Sequence, residues 1–316
     1  MPPDPHIPLS YICSRELGLT HSEVMGIATT GPRRYKTYAI PKRNGDARII
    51  CQPARELKAL QYVFLRKFLV DAPLHSAGTA YRKGASILEN ALPHRHSRVL
   101  LKLDFRDFFH SITVEHWSIY AHNMYNSWTE DDLSFSSMVL FWGRGGYAPK
   151  CLSIGAPTSP ILSNMLMYDL DEKIFKYCGQ NHLTYTRYAD DITISSDSYI
   201  MIEDVINSIK AAIRDSLLSN LKLNDEKTIL ASKSRARRVT GLVLTNDGRV
   251  SLGRDRKRLI SAMIDRARKG ALPIAEMAEL RGLLAFSYGV EPNFVENLEK
   301  KYGKVFIRAL LFKSII

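Results

Sequence analysis

Long apolar runs are missing from this 316-residue chain, so nothing in it is expected to cross a bilayer as a helix. The C-terminal "FIRALLFKSII" is the most apolar stretch near either end, and Arg308 and Lys313 interrupt it. The start, "MPPDPHIPLS", carries prolines where a secretion signal needs a basic end and an apolar core, so no such signal is expected. Cysteine is scarce. Cys13, Cys51, Cys151 and Cys178 form no C-x-x-C pair and lie near no histidine pattern, which argues against a zinc site or a disulfide frame. They read as reduced thiols of a cytoplasmic protein. No internal repeat and no low-complexity tract is present, which excludes a solenoid or a disordered polymer. Acidic residues are the minority charge, 32 against 44 lysines and arginines, leaving +12. That excess points to a polyanionic partner. "KSRARR" at 233–238 and "GRDRKR" at 253–258 concentrate it late in the chain, although a solvated face would account for either run alone.

What is present reads as mixed α and β. After the Pro-rich start, expected to be an arm, a short helix is predicted around 10–27. "YKTYAIPKRNGDARIICQP" reads as two strands joined by a turn at Asn44-Gly45. "ARELKALQYVFLRKFLV" has helical periodicity, with Leu57, Leu60, Val63/Phe64 and Phe68 on one face. "RVLLKLDF" is a strand that puts Val99, Leu101, Leu103 and Phe105 on one side and Lys102 and Asp104 on the other. Ser159 and Pro160 suit the cap and first position of a helix over "ILSNMLMYDLDEKIFKY". A hairpin, the amphipathic "VINSIKAAIRDSLL", two short strands separated by Asn-Asp-Gly, and a basic helical end follow.

Within the hairpin, "TRYADDITIS" sets Asp190 beside Asp191 in a run that is otherwise strand-like, although strands disfavour Asp and adjacent carboxylates repel. A turn tolerates the pair. Shared divalent cations remove the repulsion, and hard Mg²⁺ prefers carboxylate oxygen. Asp104, at the end of another strand on its polar side, can supply a third carboxylate. Carboxylates bridging two metals are the usual apparatus for in-line phosphoryl transfer. A solvated acidic turn would carry the same dipeptide, so context has to decide.

The context is an ordered set. "LDFRDFF", "GAPTSP" and "YADD", in that order and spacing, resemble the palm motifs of reverse transcriptases over about residues 35–245. The resemblance implies an α+β right-hand polymerase fold, with fingers, an antiparallel-sheet palm and a helical thumb. Its expected boundaries are an N-terminal arm and short helix over 1–30, fingers and palm over 31–250, and a basic thumb over 251–316. It implies two Mg²⁺ ions on Asp104, Asp190 and Asp191, with deoxynucleoside triphosphates as substrates. Asp107 is read as structural. Phe109 matches the aromatic that lies under the incoming sugar and selects against a ribose 2′-OH. Gly155 matches the loop against nucleotide and template, where many relatives have Gln at the position of Ile154. Lys42 or Arg43, and Arg48, match the fingertip cations on the triphosphate. Lys227, in "LNDEKT", matches a lysine that assists pyrophosphate departure.

"NALPH" at 90–94 and "VTG" at 239–241 narrow the resemblance to the bacterial retron reverse transcriptases, and "LEKKYGK" near the end is of their type. This implies an enzyme that copies part of a dedicated structured RNA from a guanosine 2′-OH, leaving branched RNA–DNA, in antiphage defence beside a co-encoded effector. Asn90, His94, Arg237, Arg238, Val239, Thr240, Gly241, Arg254 and Arg258 are the residues expected to recognise that RNA. Fingers, palm and thumb fill the sequence, so a host ribonuclease H is expected to trim the template in trans. Two other readings stand beside this one. One is a reverse transcriptase of a diversity-generating or abortive-infection system, which a neighbouring gene for a small structured RNA would separate. The other is a catalytically silent RNA-binding scaffold, against which the three intact aspartates argue.

Overall fold

The computed structural model describes residues 6–41, 45–198 and 201–312. The chain divides into two compact units. The first comprises Met1–Ala85, Lys102–Ile192 and Met201–Thr228, and the second Ser86–Leu101, Thr193–Ile200 and Ile229–Ile316.

In the first unit the expected single helix around 10–27 is two. Leu9–Leu17 stops at Gly18, whose φ of 64° is a left-handed cap that an L side chain resists. His21–Thr29 restarts with a capping box: Thr20 N–H donates to Glu23 Oε2 at 2.8 Å, and Glu23 N–H donates to Thr20 Oγ1 at 3.2 Å. His6 Nε2 lies 2.6 Å from Asp132 Oδ2, and Leu9 N–H donates to Asp132 Oδ1 at 2.8 Å. That carboxylate also caps the helix Glu130–Leu140, so from His6 onward the N-terminal segment is tied down.

Strands β1 (Tyr35–Pro41) and β2 (Ala47–Pro53) pair antiparallel from Tyr35↔Pro53 to Pro41↔Ala47. The expected turn at Asn44-Gly45 falls in part outside the described residues, which omit Asn44; Gly45 has a φ of 90°. Among the described residues no further strand joins this pair, and Tyr38, Ile40 and Ile49 stand exposed on it. The helix Arg55–Lys67 buries Leu57, Leu60, Val63 and Phe64, the face its periodicity predicts, and adds Gln61, whose amide donates to Val139 O at 2.9 Å.

A four-stranded sheet has the order β4 (Thr184–Tyr188), β5 (Asp191–Ser196), β3 (Val99–Asp104), β6 (Ile229–Ser232). The two-residue link Ala189-Asp190 makes β4 and β5 a hairpin. The predicted polar side of β3 is half wrong, because Leu100 is buried as completely as Leu101. Asp104 is buried as well, so both faces of β3 are covered here and the alternation is lost.

The second unit holds β7 (Arg237–Val239), β8 (Leu242–Leu244) and β9 (Val250–Ser251), all antiparallel neighbours. Thr240 and Gly241, with φ of 45° and 81°, join β7 to β8. Positive φ at both central residues is the demand of a tight hairpin turn. "VTG" is therefore a strand end followed by a turn, not strand throughout. The helices Arg254–Arg268, Ile274–Val290, Pro292–Tyr302 and Lys304–Phe312 pack around Ile260, Ile264, Leu280, Leu284, Val295 and Ile307. The architecture is α+β with antiparallel sheets and a helical end, as expected.

Candidate active site

Three strand ends bring the aspartates together. Asp104 closes β3 and is 6% exposed; Asp190 occupies the β4–β5 turn; Asp191 opens β5. Backbone bonds fix the arrangement. Phe105 N–H donates to Asp190 O at 3.2 Å, tying the turn to the end of β3, and Asn224 N–H donates to Asp104 O at 2.7 Å. Ala189, at the tip, has a φ of 57°, an uncommon conformation for a residue with a Cβ. Its carbonyl accepts from Arg187 Nη1 at 2.8 Å. Arg187 is 1% exposed and forks onto Asp171, with Nε to Oδ1 at 2.8 Å and Nη2 to Oδ2 at 2.6 Å. Tyr185 OH donates to the same Asp171 Oδ1 at 2.6 Å, and Asn164 Oδ1 accepts from Arg187 Nη1 at 3.1 Å. A buried network of this kind specifies one geometry. It acts on the turn that carries Asp190.

The electrostatics follow from this convergence. Burial, then the charge of Asp104, pushes the Asp190 carboxyl above its ordinary value. Burial raises Asp191 to about 6; Lys102 opposes it, while Asp190, Asp104 and a direct contact with the Asp104 carboxyl add to it. Lys227 Nζ donates to Asp104 Oδ1 at 2.9 Å, and this bond raises the Lys227 pKa. Among the described residues no group of three or more His, Cys, Asp or Glu is positioned to hold a metal ion. By chemistry the donors still fit a hard divalent cation. They are carboxylate oxygens only, and their mutual charge is offset locally by the Lys227 ammonium.

Around the carboxylates, the Phe109 ring is half-buried and packs on Phe108 and on Tyr81, 6.4 Å between centroids for the latter. Arg48 is exposed on β2, and its charge acts on Asp190. Gly155, with a φ of 126°, lies so close to β2 that a Cβ would meet Cys51 O at 3.0 Å. Cys51 N–H donates to the carbonyl of the neighbouring Ile154 at 2.7 Å, so the backbone at Ile154 serves the strand whatever its side chain. Lys42 and Arg43 lie outside the described residues. Asp107 is exposed at a φ of 45°, and its charge acts on His110 and Arg144.

The reverse transcriptase (RNA-dependent DNA polymerase) family model matches residues 40–244. The chain is 37% identical to the Retron Ec83 reverse transcriptase of Escherichia coli, over 87% of this chain and 89% of that one. It is 34% identical to the Retron Ec86 reverse transcriptase of the same organism, over 87% and 84%. The chain belongs to the retron reverse transcriptases. It is accordingly an RNA-directed DNA polymerase, and as such uses nucleotide substrates, a divalent metal and an RNA template. Among solved structures, telomerase from Candida albicans in complex with a telomeric RNA fragment matches at a TM-score of 0.48 and 14% identity, over 95% of this chain and 60% of that one. The family assignment rests on the sequence matches.

The RNA-recognition residues expected in this reverse transcriptase divide by burial. Asn90 and His94 are 1% and 0% exposed, and His94 Nδ1 lies 2.6 Å from Ser195 Oγ. Burial holds His94 neutral, with its pKa lowered to about 3. Neither side chain reaches the surface, so the expected direct RNA contact is corrected to an interior role. Val239 is likewise interior, in a core with Ala91, Leu100 and Leu242. Arg237 turns inward, its guanidinium donating to Ser97 O and, at 2.9 Å, to Thr245 O. Its charge serves the β7–β8 hairpin in place of RNA. Thr240 Oγ1 donates to Ile87 O at 3.2 Å, which occupies its hydrogen but leaves a lone pair. Gly241, Arg238, Arg254 and Arg258 are exposed; Arg238 lies 4.0 Å from Asp255. The sequence reading missed Arg187 and Asp171. The available signal was an arginine inside a β-rich run, two residues before the turn, where only a buried partner makes it tolerable.

Proposed function

We propose that this reverse transcriptase copies a dedicated structured non-coding RNA, starting from a guanosine 2′-OH in that RNA, into branched multicopy single-stranded DNA. The process serves antiphage defence in the cytoplasm. The observation that carries the reading is the convergence of Asp104, Asp190 and Asp191 on three strand ends, in a chain whose relatives are retron enzymes. Asp104, Asp190 and Asp191 would hold two Mg²⁺ ions, which when bound activate the attacking hydroxyl and neutralise the leaving pyrophosphate. The rest is work for the chain's own side chains. Lys227 Nζ, whose bond to Asp104 raises its pKa, gives a proton to the departing pyrophosphate oxygen. Arg48 orients the triphosphate through its planar fork, with Lys42 or Arg43 in the same role. The Phe109 ring supports the incoming sugar and leaves no room for a 2′-OH. Gly155 lets the backbone approach the nucleotide. Thr240, Gly241, Arg238, Arg254 and Arg258 contact the cognate RNA by shape and phosphate. The further partners are the DNA product, a host ribonuclease H in trans and a co-encoded effector.

The test is the nucleic acid that copurifies with the protein, which should be a branched RNA–DNA; an unbranched RNA alone would refute the priming scheme. Asp190→Asn should abolish Mg²⁺-dependent DNA synthesis and leave RNA binding within a few-fold of wild type. Full polymerase activity in that variant would overturn the carboxylate assignment.

A further inference from the structure

The helix Ile202–Arg214 and the segment 219–225 border a depression of about 380 Å³ within the first unit. Arg106, Lys210, Arg214 and Lys222 line it, against the single carboxylate of Asp225, over a floor of Ile213, Leu221 and Leu223. All four cations are exposed, and none has an ion-pair partner among the described residues. Lys210 and Arg214 stand four residues apart on one helix face, a like-charge pair that costs an isolated helix about 0.2–0.5 kcal/mol. An anion between them removes that cost. The rims are also joined in advance, because Arg106 N–H donates to Lys222 O at 2.8 Å. A solvated basic face needs neither a concave shape nor a buried apolar floor.

The chemistry selects the occupant. Free phosphate would use the cations and leave the floor idle. A duplex is too wide for a pocket near the small end of ligand sites. A nucleotide unstacked from a single strand uses both, its phosphates on the cations and its base against Ile213, Leu221 and Leu223. We propose that this pocket holds one unstacked nucleotide of a single-stranded polynucleotide, beside the duplex being extended. The proposal rests on the reading above only in supposing that the enzyme retains single-stranded RNA or DNA while it works.

The experiment uses the full chain with Lys210→Ala/Arg214→Ala, neither residue belonging to the polymerase site. The probes are labelled oligouridylate and oligothymidylate of about 20 nucleotides, with affinity followed between about 50 and 200 mM salt. Loss of two phosphate contacts should flatten the slope of log affinity against log salt by about 1.4 for a single strand. Whichever probe shows the loss names the strand held, and Lys210→Arg/Arg214→Lys should restore the slope. Extension of a short primer–template duplex should stay at the wild-type rate. Unchanged slopes for both probes would overturn the proposal, as would competition by uridine monophosphate equal, per nucleotide, to that by the oligonucleotide. Failure of the wild-type protein to make branched DNA would strike the priming scheme alone, because the binding comparison does not depend on it.

Discussion

Phe109 and His94 show how one residue's surroundings decide what it can do. The Phe109 ring is wedged between Phe108 and Tyr81, so its edge is fixed and its size is what a sugar would meet. Phe109→Val should raise ribonucleotide incorporation at least tenfold relative to deoxynucleotides in primer extension, with deoxynucleotide use retained; unchanged selectivity would return Phe109 to packing alone. Burial of His94 makes the folded state sensitive to acid. Folded, it stays neutral down to about 3, while the unfolded chain takes up its proton near the ordinary 6.5. The unfolded state therefore binds the extra proton below pH 6.5, and stability falls as pH falls, at about 1.4 kcal/mol per unit until pH 3. Urea unfolding at pH 7 and pH 5 should show wild type losing about 2 kcal/mol more than His94→Gln over that interval. The sequence shows Asn90 and His94 four residues apart and polar. It does not show whether polarity is answered by water, RNA or the Ser195 hydroxyl, a partner 101 residues away.

At the scale of an element, the β4–β5 hairpin presents its carboxylates because an interior ion pair holds it from behind. Arg187 cannot shed its charge, and Asp171 neutralises it with both oxygens. Removing one partner of a buried pair strands the other, at about 3–5 kcal/mol. Asp171→Asn should shift the urea midpoint accordingly, and should lower DNA synthesis even at temperatures where the variant remains folded. A midpoint equal to wild type would show that the pair is dispensable. The hairpin itself was legible, since alternation on either side of "ADD" and the tolerance of turns for Asp locate it. Its support was not. Asp171 lies on the helix Tyr168–Gln180, and no local period links a helix position to a strand position sixteen residues on. The Thr240-Gly241 turn is hard to see in the sequence for a related reason, because β-branched threonine suggests strand and only the glycine after it marks the reversal.

For the whole molecule, the +12 balance becomes informative once the buried cations are set aside. Arg187 and Arg237 are spent inside, whereas Arg254 and Arg258 face water on the helix Arg254–Arg268. Replacing both with Ala should weaken binding to cognate and foreign RNA alike and reduce the salt slope by about 1.4–1.8. Equal slopes for variant and wild type would show that this helix does not touch RNA. Charge runs in a sequence reveal abundance but not direction, which is why "KSRARR" mixed an interior arginine with exposed ones.

The exposed β1–β2 hairpin bears on how the enzyme behaves without its nucleic acid. It keeps Tyr38, Ile40 and Ile49 in water on a ribbon that no third strand among the described residues completes, and such an edge invites another chain to pair with it. Net positive charge keeps copies of the protein apart at low ionic strength. The concentrated salt that strips RNA shortens the reach of that repulsion to about 3 Å at 1 M, and it strengthens apolar association where the anion is kosmotropic. The treatment that cleans the enzyme therefore also removes its colloidal protection, and exchange onto a short oligonucleotide before the salt rises is what would keep it dispersed.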